Sequence, residues 1–167
     1  MSETIGKKAE KQIATWLDRP EEGYSFDRIK DQMTGFFGST NICDFTLFKS
    51  PNMYYIESKA TEEDRFEFSM IRPTQHDGLM TKSRITNVYG WVIVLFVSYQ
   101  RAFVFNIQDI DWMIHSLDKH SLNIKKIAKW PLPYKELQTI PNSRKLMLDY
   151  IGEVESYIPC NREEDSK

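Results

Sequence analysis

The sequence predicts an α/β fold: a mixed β-sheet flanked by helices. Three observations carry this reading. GWVIVLFV (90–97) is a continuous apolar run, the signature of a strand covered on both faces. ICDFTLFKSPNMYYIESKA (42–60) holds two strand-like runs around a turn, as a hairpin does. Helical periodicity marks residues 4–18 and 143–157, on either side of these strands.

Taken in order, residues 4–18 place Ala9, Ile13, Trp16 and Leu17 at helical spacing. Residues 19–41 are loop-rich, with Pro20, Gly23, Gly35 and Gly38, and leave room for one short strand near 27–33. The hairpin follows, then a charged connection from Thr61 to Arg65. Pro73 suits a first helical position, and the helix it opens should run to about Thr86. After the apolar strand, Tyr99-Gln100 turns the chain into RAFVFNI, and a helix near 108–117 follows. Trp130-Pro131-Leu132-Pro133 reads as stiff and extended. The last helix, 143–157, sets Leu146, Met147, Tyr150, Ile151 and Val154 on one side. At 167 residues a single domain is expected, with a core over about 4–110, a helical extension over about 111–158 and a polar tail at 159–167.

Composition narrows the function. No apolar run approaches the roughly 20 residues that span a bilayer, and MSETIGKKAE lacks the apolar stretch of a signal peptide. Two cysteines, Cys43 and Cys160, do not make a disulfide framework, so a reducing cytoplasm is the expected location. Cys43 reads as a small buried hydrophobe. The net charge of −2 argues against a generic polyanion binder. Basic residues nonetheless cluster at Lys7-Lys8-Lys11, Arg28 with Lys30, Lys82 with Arg84, Lys125-Lys126-Lys129 and Arg144-Lys145. Taken singly, each cluster reads as a solvated face.

The hairpin poses the chemical question, because Asp44, Glu57 and Lys59 interrupt an apolar and aromatic stretch. Alternation puts Cys43, Phe45 and Leu47 on one face and Asp44 on the other; Glu57 and Lys59 share a face on the return strand. A four-residue turn over Lys49–Asn52 sets Asp44 opposite Glu57. A tight turn centred on Pro51-Asn52 sets it opposite Lys59. Both registers unite the three groups, whereas a three-residue loop would separate them. Directly opposed carboxylates destabilise a sheet. Lys59 supplies one positive charge, and a hard divalent cation would supply the rest. Mg²⁺, or Mn²⁺ in its place, is held by one or two carboxylates with waters and phosphates. The peptide carbonyl of Ser58, between the charged pair, offers a further ligand. Such a site outlines phosphodiester hydrolysis; the plainer reading is an edge-strand ion pair on a solvated face.

Asp44 followed by Glu57-Ser58-Lys59 resembles the PD-(D/E)XK nuclease core, the restriction-endonuclease-like fold. More narrowly, ICDFTLF, YYIESKAT and FSMIRPTQHDGL resemble RecU-type Holliday-junction resolvases, especially short phage-encoded versions, over about residues 4–110. The resemblance implies Asp44 and Glu57 as metal ligands, Lys59 as the catalytic lysine and Gln75 as an active-site glutamine. It also implies a place near the metal for Glu10, since Gly6-x-x-x-Glu10 looks similar to the family's first helix; the alternative is a local pair with Lys7. A phage origin would make the location the host cytoplasm.

The cellular enzymes carry a longer insertion before the catalytic aspartate, a stalk that enters the junction. Here that stretch is only DRPEEGYSFDRIKDQMTGFFGSTN. Arg28 and Lys30, with Lys82 and Arg84, are the candidate DNA-binding residues. Phe36-Phe37 could wedge between bases; the simpler reading is packing on its own domain or on a dimer partner. His76, His115 and His120 share no ligand spacing. The resulting expectation is a Mg²⁺-dependent endonuclease that resolves four-way junctions as a homodimer. Its rivals are a nuclease of the same fold cutting duplex or flap DNA, and an inert DNA-binding or interaction module.

Overall fold

The computed structural model describes residues 4–18, 23–29 and 41–137. Helix α1 spans Ile5–Leu17 and is capped by Thr4, whose Oγ1 accepts from the Lys7 N–H. Ala9, Ile13 and Leu17 recur every fourth residue, and all three are buried. Strand β1 spans Tyr24–Arg28. It begins earlier than the strand expected near 27–33, because Tyr24 and Phe26 alternate inward while Ser25 and Asp27 face solvent. The stretch carrying Lys30 and Phe36-Phe37, and the helix expected over 143–157, lie outside the described residues.

Strands β2 (Phe45–Lys49) and β3 (Asn52–Thr61) form the hairpin. Phe45 faces Ile56 and Lys49 faces Asn52, the register that sets Asp44 against Glu57. A short strand, β4 (Arg65–Glu67), and a 3₁₀ turn lead into α2 (Pro73–Lys82). Helix α2 stops before Thr86. Ile85, the last apolar residue of the expected helix, is 55% exposed, so no burial rewards another turn. Asn87 then adopts a left-handed conformation, φ +62°. Strands β5 (Val88–Phe96) and β6 (Arg101–Asn106) are joined through Gln100, also left-handed. Helix α3 (Ile107–Leu117) is capped by Asn106, whose side chain accepts from the Gln108 N–H. Strands β7 (Ser121–Asn123) and β8 (Lys135–Leu137) complete the described chain.

The main sheet has the order β1-β2-β3-β5-β6-β8. Only β3 and β5 run parallel, with α2 in their crossover; the other neighbours are antiparallel. Strand β5 alternates between two cores. Trp91, Ile93 and Leu95 pack with α1 on one face. Val92, Val94 and Phe96 pack with Leu79, Ile110 and Met113 of α2 and α3 on the other. Double coverage explains why this strand is apolar at every step. β4 and β7 form a separate two-stranded sheet, which the sequence did not foretell.

Alternation fails at one expected place. Cys43 does not share a core with Phe45 and Leu47; it packs into the opposite cluster, with Phe66 and Leu79. The regular ladder begins at Phe45, and the segment before it lacks strand geometry, so the two-residue period does not extend to Cys43. Gly78 makes this segment possible. A Cβ on Gly78 would lie 2.4 Å from Ile42 Cγ2, so only glycine lets α2 press against the residues leading to Asp44.

Candidate active site

The site forms where β3 outruns β2. The last ladder contact between them is Phe45 with Ile56, reinforced by the Asp44 N–H donating to the Ile56 carbonyl at 3.0 Å. From Glu57 onward β3 keeps only its β5 neighbour. Asp44 occupies the vacated edge. Its Oδ2 accepts from the Ser58 N–H and the Ser58 hydroxyl, each at 2.8 Å. By strand alternation the Ser58 carbonyl points along the same edge as its N–H, toward Asp44.

Glu57 is 1% exposed and belongs to the α2 side of the sheet. Its Oε1 accepts from Lys59 Nζ and, at 2.7 Å, from Gln75 Nε2. Gln75 Oε1 in turn accepts from Lys59 Nζ at 3.1 Å and from the Arg72 N–H at 3.1 Å. This last bond is half of a capping box, so the start of α2 and the orientation of Gln75 are one structure. Glu57, Lys59 and Gln75 thus form a closed triangle around one carboxylate oxygen. The other oxygen, Glu57 Oε2, is buried with no hydrogen-bond partner among the described residues.

Electrostatics agree with the geometry. Burial, then the charge of Asp44, pushes the Glu57 carboxyl up to about 7; Lys59 and Arg72 pull it back down. Burial and the nearby Glu57 push the Cys43 thiol up to about 12, which leaves it neutral and unsuited to act as nucleophile or ligand.

These features test whether a divalent cation fits. A bare buried oxygen on Glu57, a neighbouring carboxylate on Asp44 and a carbonyl aimed at the same edge are a hard-oxygen donor set. The fit depends on substrate and water for the remaining ligands, since no group of three or more His, Cys, Asp or Glu side chains that could by itself hold a metal ion is present among the described residues.

The other expected residues fall into three groups. Glu10 lies on α1, and its Oε2 accepts from Arg28 Nη2 at 2.6 Å, rather than pairing with Lys7. Lys82 lies over the Tyr55 ring, 5.4 Å from its centroid, on the Glu57 face of β3. Arg84 is exposed, in the loop after α2. His76 and His115 both pair with Asp111, and His120 pairs with Asp118.

Arg72 was missed from the sequence. It occupies the N-cap of α2 and acts electrostatically on Glu57. A signal was present: a cation at a helix N-terminus opposes the helix dipole, and no acidic residue in the first turn offsets it.

Paired carboxylates, a lysine and a glutamine thus meet at the open end of a strand in a mixed sheet. The family model for RecU, Recombination protein U, matches residues 19–156, and the chain belongs to that family of Holliday-junction resolvases. Among solved structures the chain is similar to the Holliday junction resolvase Hjc of Archaeoglobus fulgidus. The two are 17% identical, the match covers 64% of this chain and 87% of that one, and the TM-score is 0.39. No curated protein sequence gives a significant match. Among the described residues, no helix is long and apolar enough to cross a membrane.

Proposed function

We propose that this protein is a Mg²⁺-dependent endonuclease that resolves four-way DNA junctions by phosphodiester hydrolysis, acting as a homodimer. The observation that carries the reading is the bare, buried Oε2 of Glu57 beside Asp44, in a chain of the RecU family.

Asp44, Glu57 and the Ser58 carbonyl would hold the cation. When bound, it would lower the pKa of a water and polarise the scissile phosphate. The chain's own groups do the rest. Ser58 fixes the Asp44 carboxylate through two donors to one oxygen. Gln75 holds Glu57 and Lys59 in place, acting as donor to one and acceptor from the other. Lys59 Nζ, held beside Glu57 by Gln75, would present its ammonium to the charge that develops on the phosphate. Two symmetric nicks across a junction need two such sites, which a two-fold dimer supplies.

The test is cleavage of a synthetic four-way junction beside a linear duplex of matched sequence, with and without Mg²⁺. Cutting of the junction alone, only with the metal, is expected. Equal cutting of the duplex would reassign the substrate.

A further inference from the structure

A second feature of the molecule bears on the same substrate, and its meaning rests on the DNA-cleavage reading above. On the α3 side lies a cavity of about 290 Å³, lined by Arg65, Lys119, Lys126, Lys129 and Trp130 among others. We infer that this cavity is a phosphate-backbone site for one duplex arm of the substrate, separate from the catalytic carboxylates.

The distribution of charge supports a ligand rather than a solvated face. The lysines of IKKIAK are sorted by direction. Lys125 reaches Asp64 at 3.0 Å, while Lys126 and Lys129 line the cavity. Sorting follows from the backbone: the segment Ile124–Lys129 is 3₁₀-like, so residues three apart are eclipsed, and a kink at Lys126 (φ −114°, ψ 26°) reorients it. The acids nearby are engaged elsewhere, Asp64 with Lys125, Asp118 with His120, and Glu67 with Arg65 at 3.7 Å. Lys119, Lys126 and Lys129 have no ion-pair partner among the described residues. All three are exposed, so water screens them from one another; with Arg65 they make the lining of one concavity basic among the described residues, the charge pattern that a polyanion's backbone complements.

The anion is a backbone and not a base. Trp130 forms a wall of the cavity, but its indole N–H is spent on the Asn123 carbonyl at 2.9 Å and its ring packs on Phe103 and Tyr134. It is not a free stacking platform of the kind single strands require.

The experiment compares the full chain with a Lys119→Ala/Lys126→Ala/Lys129→Ala variant, by affinity against salt for a four-way junction and for a linear duplex. Each lost phosphate contact removes about 0.9 from the slope of log affinity against log salt, so the variant should lose up to about 2.7. The loss should be equal on both DNAs, because the cavity contacts an arm and not the crossover. Cleavage at saturating protein should match the parent. An unchanged slope overturns the inference, as does a loss confined to the junction. If the triple variant melts early, Lys129→Gln carries the test, with an expected loss of about 0.9. A parent that neither binds nor cuts any DNA would refute the nuclease reading itself. A parent that cuts while the variant keeps its slope refutes only the cavity assignment.

Discussion

Strands β3 and β5 lie side by side in parallel register, with Glu57 beside Val92, Ser58 beside Ile93 and Lys59 beside Val94. Their depth is similar: the three β5 residues are fully buried, and Glu57 and Ser58 nearly so. Their chemistry is opposite. The difference lies at their other edges. β5 is paired on both sides here, with β3 and β6, so its backbone groups across Val92–Val94 are met within the sheet. β3 loses β2 after Ile56, and the exposed edge is taken up by the Asp44 carboxylate while Gln75 closes over the face. Polar residues at core depth are costly, and replacing a buried ion pair by apolar groups is often neutral or stabilising. Charge at this one place on β3 is therefore not accounted for by stability, and the proposed catalytic role gives it a reason.

The largest expected effect comes from erasing that contrast. Asp44→Asn or Glu57→Gln should abolish cleavage of a four-way junction while leaving junction affinity measurable. Lys59→Ala should lower the rate at saturation by ~10²–10³, the usual loss for a preorganised donor, with little change in affinity. Full Mg²⁺-dependent activity in either carboxylate variant would remove the site assignment. A collapse of affinity with a normal saturated rate would make Lys59 a binding residue.

Stability should show the opposite sign. The Glu57 carboxyl titrates at about 7 in the fold against 4.5 for the ordinary group, because burial and Asp44 disfavour its charge. The folded state therefore holds the proton more tightly, and stability falls as pH rises between these values. The penalty is complete above about 7 and is of order 3 kcal/mol at most. Without divalent metal, Glu57→Gln should melt higher than the parent at pH 8 and show a much smaller difference at pH 4. Added Mg²⁺ should raise the parent's melting temperature at pH 8 and leave that of Glu57→Gln nearly unchanged. A parent that grows more stable from pH 5 to pH 8 without metal would contradict the burial argument.

The same contrast explains what the sequence disclosed. Asp44, Glu57 and Lys59 were legible because a hairpin has few registers, and one of the two open ones is observed. Strand β5 was legible because double coverage leaves a continuous apolar run. Gln75 was legible only through a family motif, since its role depends on α2 folding back over β3. Cys43 was misplaced because alternation was extended past the end of the ladder. β4, β7 and β8 each have three residues, too few to display any period. The Glu10–Arg28 pair joins residues far apart in sequence, and nothing local marks it.

The approach of α2 to the carboxylates is a device that can be disturbed by one methyl group. Gly78→Ala would place its Cβ 2.4 Å from Ile42 Cγ2 and 2.7 Å from Ile42 Cβ. Overpacking of this kind costs ~1–3 kcal/mol, partly offset by the ~1 kcal/mol gain in helix propensity. Chemical denaturation should show the net loss, and Ile42→Ala in the same chain should relieve the clash, recovering part of it. Since Gln75 rides on the same helix, the single variant should also cut more slowly. A Gly78→Ala protein of parental stability and rate would show that the segment before Asp44 yields freely.

The smallest effect separates two roles for Glu10. In the structure its carboxylate holds the Arg28 guanidinium, and both side chains are partly exposed. An exposed pair of this kind contributes ~0–1 kcal/mol. If pairing is its whole role, Glu10→Gln leaves the saturated cleavage rate unchanged and lowers stability within that range. Arg28, freed of its partner, then becomes available to phosphate, and the salt slope of DNA binding should steepen by up to about 0.9. If Glu10 instead belongs to the metal centre, as the family resemblance implies, the saturated rate falls and the Mg²⁺ concentration for half-maximal activity rises, while the salt slope stays as it was. Arg28→Ala sharpens the distinction. It removes the same ion pair without touching a carboxylate, so a rate lost in Glu10→Gln and kept in Arg28→Ala would extend the catalytic edge of β3 across the sheet to α1.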